Sequence, residues 1–404
     1  MEEKRRERLL EELNLQLPTL YKISEYIYEN PELAFQEEKA AQILCEYLSE
    51  NGFSVEKGLG GLSTAFRATW DSPGKQNKYK NIAYTAEYDA LPGLGHGCGH
   101  NLIAASAAGS AAVLKAVLEK EDCCGRVTVI GTPAEESGGG KILLIKKGVF
   151  NDISACMMMH PTSGVSRIAG SCLSSHGLTL RWKGKTAHAE SHPEDGINAL
   201  DALHVYYTAV SCLRQQLPPD VRIAQIVKNG GVDEGLIPDE TVMVVDIVSL
   251  DSNLLPTVKK VKRCAEGAAI ATGCTLEITE HTGYLGRIPN KRLAQAAREQ
   301  FAMETEPLQE GLPEDFGTTD FGNVTRLMPC VNPYVSLLPE RKISNHSELF
   351  RELANSERSR EVIAISVRVM AGLGLSLFLD DSILEEAWAE FRQTMEERKK
   401  INGQ

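Results

Sequence analysis

One short segment of this chain combines a thiol and two imidazoles with closely spaced glycines. It reads GHGCGHN at residues 95–101. Glycine readily adopts positive φ angles, so such a segment can turn sharply and direct its ligating side chains to one point. Thiolate and imidazole are ligands that zinc and similar transition metals favour. The spacing predicts Cys98 and His100 as metal ligands, with a buried thiol beside a hydrogen-bonded histidine as the structural alternative.

A pair of adjacent carboxylates forms the second candidate. Glu135 and Glu136 follow the apolar run 127–130 and lie just before three consecutive glycines. One carboxylate can bind a metal while the other accepts a proton from water, whose pKa a metal lowers to roughly 7. This predicts one carboxylate of the pair as a metal ligand and the other as the general base. The alternative is a surface pair in a turn, which the surrounding glycines disfavour.

Three further histidines have positions that suit such a site. His160 follows the apolar run 155–159, and His346 lies in a polar loop near residue 345. Both are predicted metal ligands. His188 lies in a different part of the chain, where its useful role would be a hydrogen bond to the oxyanion of a tetrahedral intermediate. A surface histidine in a turn is the alternative for His188.

The elements that must position these side chains are three predicted strands. The apolar runs 81–86, 127–130 and 155–159 each end shortly before candidate residues, the first of them before Asp89. In an open α/β sheet, the carboxyl ends of the strands meet at one crevice. The sequence therefore predicts an α/β domain with the site at one edge of its sheet.

The middle of the chain has a different pattern. Between about 177 and 279, strand-like and helix-like segments follow one another in the order βαββαβ, which is typical of a ferredoxin-like α+β unit. We predict a catalytic domain in two parts, 1–170 and 286–404, interrupted by an inserted domain at 171–285. A chain of 404 residues is longer than one core usually holds, which also favours two domains.

Composition excludes some classes of partner. The net charge of −12 disfavours nucleic acid as a ligand, since phosphate binding requires a basic surface. We expect no membrane span, because no uninterrupted apolar run reaches the length that one needs. The charged start lacks the pattern of a signal peptide, and the ten cysteines show no disulfide framework. These features predict a cytoplasmic protein with reduced thiols.

Several motifs together resemble a known family, the aminoacylase and glutamate-carboxypeptidase metallopeptidases. The motifs that carry this resemblance are EYDALP at 87–92, GHGCGHN at 95–101, PAEE at 133–136 and NH at 345–346. The Cys-Gly-His form is similar to the amidohydrolase branch, which includes auxin-conjugate and aminobenzoyl-glutamate hydrolases. Within that branch, four further segments resemble the β-alanyl-lysine dipeptidase group, namely 101–104, 186–189, 196–202 and 317–323.

The resemblance implies a site with two divalent metal ions, zinc or manganese. The residues that match the family's ligand positions are Cys98, His100, Glu136, His160 and His346. Glu135 matches the general base, and Asp89 matches a residue that orients the site. His188 matches the histidine that the small domain offers to the partner's active site in a dimer. The inserted domain would then serve for dimerisation and as a lid, and a homodimer is expected.

Two positions depart from the family pattern. Gly235 stands where an Asn usually precedes the Ile-Pro pair, and Val248 stands where the next strand usually carries an Arg that binds a substrate carboxylate. An Arg binds carboxylates in a planar, bidentate way that Val cannot replace. Either Arg287 substitutes for it, or the substrate lacks a free α-carboxylate. Further predicted substrate-binding residues are Asn229, Gly317 and Thr318.

These observations predict a metal-dependent amidohydrolase or dipeptidase. Its substrate would be an N-acyl amino acid or a small dipeptide-like amide, cleaved by a metal-activated hydroxide with Glu135 as general base. One alternative uses the same site for acyl transfer to an amine on a specialised metabolite. Another is a non-catalytic ligand-binding dimer on the same fold.

Overall fold

In the computed structural model, which describes residues 3–281 and 283–401, the chain divides into two units. The first unit runs to Ser171 and continues through Arg287–Asp315 and from Thr319 onward. The second unit consists of Cys172–Gly286 together with the short segment Phe316–Thr318. The residues that carry the predicted metal chemistry all belong to the first unit.

The first unit contains helices that pack around two sheets. Its helices are α1 (Glu3–Glu29), α2 (Glu38–Glu50), α3 (His100–Leu118), α4 (Gly140–Lys146), α7 (Lys291–Phe301), α8 (Phe321–Val324), α9 (Glu348–Leu353), α10 (Glu357–Leu379) and α11 (Asp381–Ile401). Its strands are β1 (Ser54–Lys57), β2 (Phe66–Pro73), β3 (Asn81–Ala86), β4 (Cys124–Gly131), β5 (Ala155–Met157), β6 (His160–Thr162), β7 (Arg167–Ile168), β12 (Cys330–Val331) and β13 (Pro333–Ser336).

The main sheet has the strand order β1-β2-β4-β3-β5-β12. Strands β4, β3, β5 and β12 run parallel to one another, whereas β1 and β2 add an antiparallel edge next to β4. Every residue of β3 is buried, so this strand shows no alternation of apolar and polar side chains, as expected for a parallel strand covered on both faces. A second sheet of three short strands has the order β6-β13-β7.

Helix α3 forms the centre of the helical layer beside the main sheet. Its small residues allow close approach of α1 and α10: a Cβ on Gly109 would lie 2.5 Å from Leu20 Cδ1 and 3.0 Å from Val367 Cγ2. Helices α3 and α10 are long and apolar enough to cross a membrane by length and composition alone. In this structure, 89% and 78% of their most apolar windows are buried inside the protein, as in core helices.

The second unit consists of two helices packed on a four-stranded antiparallel sheet. Its elements are β8 (Ser174–Lys183), α5 (Ala199–Leu213), β9 (Arg222–Asn229), β10 (Glu240–Ser249), α6 (Asp251–Thr272) and β11 (Thr275–His281), with the sheet order β11-β8-β10-β9. Along β10, buried residues alternate with more exposed ones, because one face of the sheet packs against the helices. The Trp182 indole N–H donates to the Ala265 carbonyl at 3.2 Å within this core. The predicted fold class, α/β with an inserted ferredoxin-like α+β unit, is confirmed.

Candidate metal centre

The glycine-rich loop delivers Cys98 and His100 to the carboxyl ends of β3, β4 and β5. His100 is the first residue of α3, and the preceding Gly99 has a φ of 76°. A Cβ on Gly99 would lie 2.6 Å from Pro161 Cγ, so only glycine fits this approach. Cys98 is 6% exposed and His100 is fully buried. The loop therefore holds both side chains inside the protein.

Two groups of three potential ligands share the thiol of Cys98. The first is Cys98 with His100 and His160, and the second is Cys98 with Glu136 and His346. Within each group, the ligand atoms lie within 4.8 Å of one another. Sulfur, imidazole nitrogen and carboxylate oxygen form a donor set that suits zinc and similar divalent metals. The structure thus brings together the five residues that the sequence predicts as ligands, and their coordination of a metal stays a prediction.

The orientation of these donors also fits metal ions. His100 Nε2 and Glu136 Oε1 are buried, lie 3.7 Å apart, and make no hydrogen bond of good geometry among the described residues. A buried polar atom without a partner is costly, and a cation would satisfy both atoms. Cys98 Sγ lies 3.6 Å from His160 Nε2, and Glu136 Oε1 lies 3.3 Å from His346 Nε2. The residues present therefore fit a pair of divalent cations.

Asp89 fixes two of these ligands from behind. One of its oxygens accepts the Nδ1–H of His100 at 2.9 Å, and the other accepts the backbone N–H of Glu136 at 2.8 Å. His160 is fixed similarly, since its Nδ1 lies 2.6 Å from the Pro161 carbonyl. In both histidines the Nδ1 proton is held by an oxygen acceptor, so the lone pair is on Nε2, which faces the other ligands.

The local charges favour the ligating form of the thiol. Burial alone raises the pKa of Cys98, but the imidazoles of His160, His100 and His346 outweigh it and hold the pKa well below its usual value. The thiolate is the form that binds metals. The neighbouring thiol of Cys98 and carboxylate of Glu136 raise the pKa of His346 to about 10. The cluster therefore pairs a negative thiolate with a positive imidazolium, and a metal would bind with release of the imidazolium proton.

Glu135 lies beside the ligands in a tight turn. Its Oε2 is 3.9 Å from His100 Nε2, and the residue is 8% exposed. Burial, together with the carboxylates of Glu87 and Glu136, raises the pKa of Glu135 well above its usual value. A carboxylate with a raised pKa is a better match for proton transfer near neutral pH. This environment suits the predicted general base, a role that stays a prediction.

The backbone is strained at two positions around this centre. Ala134, directly before Glu135, has a φ of 60°, and the ligand His346 has a φ of 58°. A left-handed conformation costs a residue with a side chain about 1–2 kcal/mol. The His346 N–H donates to the Gly97 carbonyl at 2.9 Å, which helps to hold its conformation. Strain at such positions is typical of sites where side-chain direction matters.

A buried ionic network next to the centre was not predicted from the sequence. Lys141 is fully buried, and its Nζ lies 2.6 Å from Glu87 Oε1 and 2.5 Å from Asp320 Oδ1. The other oxygen of Glu87 is 3.5 Å from His100 Nε2. The position of Glu87, directly after β3 and two residues before Asp89, could have signalled its role. Nothing in the sequence distinguishes the buried Lys141 from an exposed lysine.

The ring of Tyr334 supports His160. The two rings stack with centroids 4.9 Å apart and an interplanar angle of 18°. The Arg167 guanidinium lies over the Tyr334 ring, 4.3 Å from its centroid. Both Arg167 and Arg287 pair with the carboxylate of Asp315. This stack limits the rotation of the His160 ring.

Arg287, the predicted substitute for the missing carboxylate-binding arginine, has several partners inside the protein. It is 4% exposed, and its guanidinium donates to the Gly170 carbonyl, Asn332, Tyr334 and Asp315. A guanidinium committed to four protein groups serves to hold the protein together. The structure therefore gives Arg287 an internal role, and substrate binding by this residue stays a prediction.

His188 belongs to the second unit and is exposed. Its Nδ1 accepts the backbone N–H groups of Glu190 and Ser191, at 3.2 and 3.3 Å. The residue also forms an isolated β-bridge with Leu236. With Nδ1 as an acceptor, the neutral ring carries its proton on Nε2, where it can donate to another group.

The other predicted substrate-binding residues also lie in the second unit. Asn229 ends β9 and accepts the Gly231 N–H at 3.1 Å. Gly317 and Thr318 belong to the segment Phe316–Thr318, in which the Gly317 carbonyl accepts the Leu173 N–H at 3.2 Å. These contacts describe local structure, and substrate binding by the three residues stays a prediction.

Comparison with known proteins identifies the family. The family model described as Peptidase family M20/M25/M40 matches residues 81–370. The chain belongs to this peptidase family. The matched range includes all five predicted ligands, Glu135 and the whole second unit.

Relatives named for an enzymatic activity match between two thirds and nearly all of the chain. The Xaa-Arg dipeptidase of Mus musculus is 36% identical over 393 residues, which cover 94% of this chain and 90% of that protein. One component of the p-aminobenzoyl-glutamate hydrolase of Escherichia coli is 30% identical over 68% of this chain and 60% of that protein. Among solved structures, a dinuclear metal-binding peptidase of the M20 family from Bacillus subtilis superimposes with a TM-score of 0.69 at 21% identity, over 91% of this chain and 99% of that chain.

Membership of the M20/M25/M40 family settles the class of reaction. The family consists of peptidases and includes a peptidase described as binding a dinuclear metal site, so this protein is a metal-dependent hydrolase of peptide or amide bonds. The sequence-based predictions of the family, of the fold class and of an amide-hydrolysing metalloenzyme are confirmed at this level.

Proposed function

We propose that this protein is a dipeptidase or N-acyl amino acid hydrolase whose catalytic chemistry resides in the cluster around Cys98. The observation that carries this proposal is the pair of ligand groups sharing Cys98, with the buried carboxylate of Glu135 beside them. A ligand set alone would suit a structural metal. A further carboxylate with a raised pKa next to the ligands favours catalysis.

The metals are proposed to be zinc or manganese. Cys98, His100 and His160 would hold one ion, and Cys98, Glu136 and His346 the other. When bound, such ions act as Lewis acids that polarise the substrate carbonyl and acidify water. The thiolate and imidazoles favour zinc, and the carboxylate is equally acceptable to manganese.

The protein's own residues supply the proton transfers. Glu135 accepts a proton from the attacking water and delivers it to the nitrogen of the leaving amine. Asp89 keeps His100 and Glu136 in place, because each of its oxygens accepts a hydrogen bond from one of them. His188 donates its Nε2–H to the oxyanion, a role favoured by the two backbone N–H groups that occupy its Nδ1.

The proposed substrates are dipeptides with a basic C-terminal residue. The 36% identical relative bears the name Xaa-Arg dipeptidase, and similarity over 94% of this chain supports a related specificity. Because Val248 lies in β10 where the family pattern expects an arginine, the α-carboxylate must be bound by another group or be dispensable. Matched free-acid and amidated substrates distinguish these cases.

A homodimer and a cytoplasmic location complete the proposal. Strand β9 is an edge of its sheet, and Ile226 and Val227 on it are 54% and 38% exposed. An exposed apolar edge strand is a surface for pairing with another chain. All ten cysteines are free thiols in the part of the chain that the structure describes, which suits a reducing compartment.

The experiment that tests the function is hydrolysis of a matched substrate panel. It contains Xaa-Arg and β-alanyl dipeptides, N-acyl amino acids and p-aminobenzoyl-glutamate, each also with an amidated carboxyl group. We expect cleavage of free-acid Xaa-Arg dipeptides by metal-replete protein and none after chelation.

Three other outcomes would point elsewhere. Cleavage of amidated substrates alone would mean that the substrate class is different from the one proposed. Amide formation from an acyl donor and an amine, without hydrolysis, would favour acyl transfer. A protein without metal or turnover would favour a non-catalytic binding role.

A further inference from the structure

The carboxylate of Glu37 connects three separate segments of the first unit. It is fully buried, with 0% exposure. Its Oε1 accepts the backbone N–H groups of Phe35 and Ala134, both at 2.9 Å. Its Oε2 accepts the hydroxyl of Thr64 at 2.8 Å. A buried carboxylate is stable only with such donors, so these three bonds are required together.

The bond to Ala134 reaches the turn that carries the catalytic carboxylates. Ala134 has a φ of 60° and directly precedes Glu135 and Glu136. The Ala134 carbonyl accepts the Gly139 N–H at 2.9 Å, so the turn is short and closed on itself. In such a turn, the direction of the next two side chains depends on the conformation of Ala134.

The same carboxylate oxygen also holds a second strained residue. Phe35 has a φ of 62°, and its ring packs against Gly138, where a Cβ would lie 2.5 Å from Phe35 Cε2. Thus one oxygen of Glu37 fixes both sides of the contact between the segment around Phe35 and the turn at Ala134. Strained conformations persist only where their surroundings determine them, and Glu37 supplies the donor–acceptor bonds that do so here.

We propose that Glu37 is a positioning residue for catalysis, which holds Ala134 in its left-handed conformation and thereby aims Glu136 at its metal and Glu135 at the substrate. This inference rests on the proposed function for the role of Glu135, whereas the role of Glu136 can be measured through metal binding alone. The link that we propose runs through the backbone of Ala134, whose N–H donates to Glu37.

The first test compares Glu37→Met with Glu37→Gln in the full-length protein. Methionine has a similar length but leaves three buried donors without an acceptor, whereas the amide oxygen of glutamine can still accept the two backbone N–H groups.

Metal binding is measured by calorimetric titration of metal-stripped protein with Mn²⁺. For Glu37→Met we expect the affinity for one of two Mn²⁺ equivalents to fall by about 10–100-fold, as for other residues that orient metal ligands. We expect kcat to fall by a similar factor with little change in KM. Glu37→Gln should remain close to the wild type in both.

The second test asks whether the effect passes through Ala134. Glycine adopts a φ of 60° without the penalty of a side chain. Ala134→Gly should therefore restore most of the Mn²⁺ affinity and kcat when it is added to Glu37→Met, and should alter the wild type little. If Glu37→Met yields no folded protein, Glu37→Asp gives the same readout, since its shorter side chain cannot reach all three donors.

A neighbouring carboxylate provides the matched control. Glu32 accepts the backbone N–H groups of Lys39 and Ala40 at the start of α2 and does not contact the turn. Glu32→Met should lower the melting temperature without changing Mn²⁺ affinity or kcat of the folded enzyme.

Two outcomes would overturn the proposal. One is a Glu37→Met protein that melts earlier but binds two Mn²⁺ ions and turns over as the wild type does. The other is a loss that Ala134→Gly fails to relieve. Absence of hydrolysis in the wild type would contradict the proposed function and would leave the metal-affinity comparison intact.

Discussion

The metal centre and the surroundings of His188 are built in opposite ways. Around the centre, Cys98 and His100 are buried, Glu136 and His160 are partly buried, and only His346 among the predicted ligands is exposed; Asp89 holds His100 from behind. His188 is exposed and is held by two backbone N–H groups within its own turn. A buried, supported ligand set resists disturbance by solvent, whereas an exposed histidine is free to form and break a contact during turnover. The difference is consistent with the predicted roles, which are metal binding in the first region and a contact with substrate in the second.

The largest effect should come from Glu135, the predicted general base. Glu135→Gln removes the proton acceptor and keeps the shape, so kcat should fall by about 10³-fold. Metal content, measured by elemental analysis, and the melting temperature should remain at wild-type values. Full turnover by this variant would exclude Glu135 as the general base.

Removing the imidazole of His188 tests the exposed region. Loss of one oxyanion donor typically costs about 10²–10³-fold in kcat, so His188→Ala should show a loss in this range. Because the side chain is exposed, the melting temperature and the metal content should not change. The nearby His192, also exposed, is the control, and His192→Ala should retain wild-type kcat. Equal losses in both variants would contradict a specific role of His188.

Asp89→Asn tests the support behind the buried ligands. Both oxygens of Asp89 accept hydrogen bonds, but an amide has only one oxygen, and its NH₂ group would face either His100 Nδ1 or the Glu136 N–H. We expect metal affinity to fall by about 10–100-fold, measured by competition with a chromogenic chelator. Unchanged affinity would show that the ligands hold their own orientation.

The stack on His160 should have a smaller effect. Tyr334→Leu removes the ring that packs on His160, and metal affinity should fall by about 10-fold. Tyr334→Phe keeps the ring and loses only the 3.3 Å bond from Arg287, so it should bind metal nearly as well as the wild type. If both variants lose affinity equally, the hydroxyl rather than the stack is responsible.

The smallest effect concerns stability alone. Burial opposes ionisation of Asp315, but Arg287 and Arg167 outweigh it and hold the pKa below its usual value. Such a carboxylate stabilises the folded state above the unfolded pKa of about 4, and this stability is lost as the pH falls through the lower folded pKa. Asp315→Asn should therefore lower the melting temperature by about 5 °C at pH 7. Thermal denaturation at a series of pH values should show the difference shrinking below about pH 4, and a constant difference would contradict this assignment.

Much of this protein was accessible from its sequence because the decisive signals are local. Residue type and spacing identified the loop with Cys98 and His100, and the ends of apolar runs identified Glu136 and His160. Parallel strands deliver such residues to one edge, which is why the structure brings them together. The βαββαβ order of the second unit was also readable, since hydrophobic periodicity changes at each element.

Only the tertiary structure showed the contacts between residues that are distant in the sequence. Glu37 accepts a hydrogen bond from Ala134, Lys141 is buried between Glu87 and Asp320, and Arg287 is committed to protein partners. Side-chain type reports which bonds a residue can make, and the packing of the folded chain determines which of them it does make. For this reason the sequence determined the chemistry of the centre, whereas only the fold showed what holds that chemistry in place.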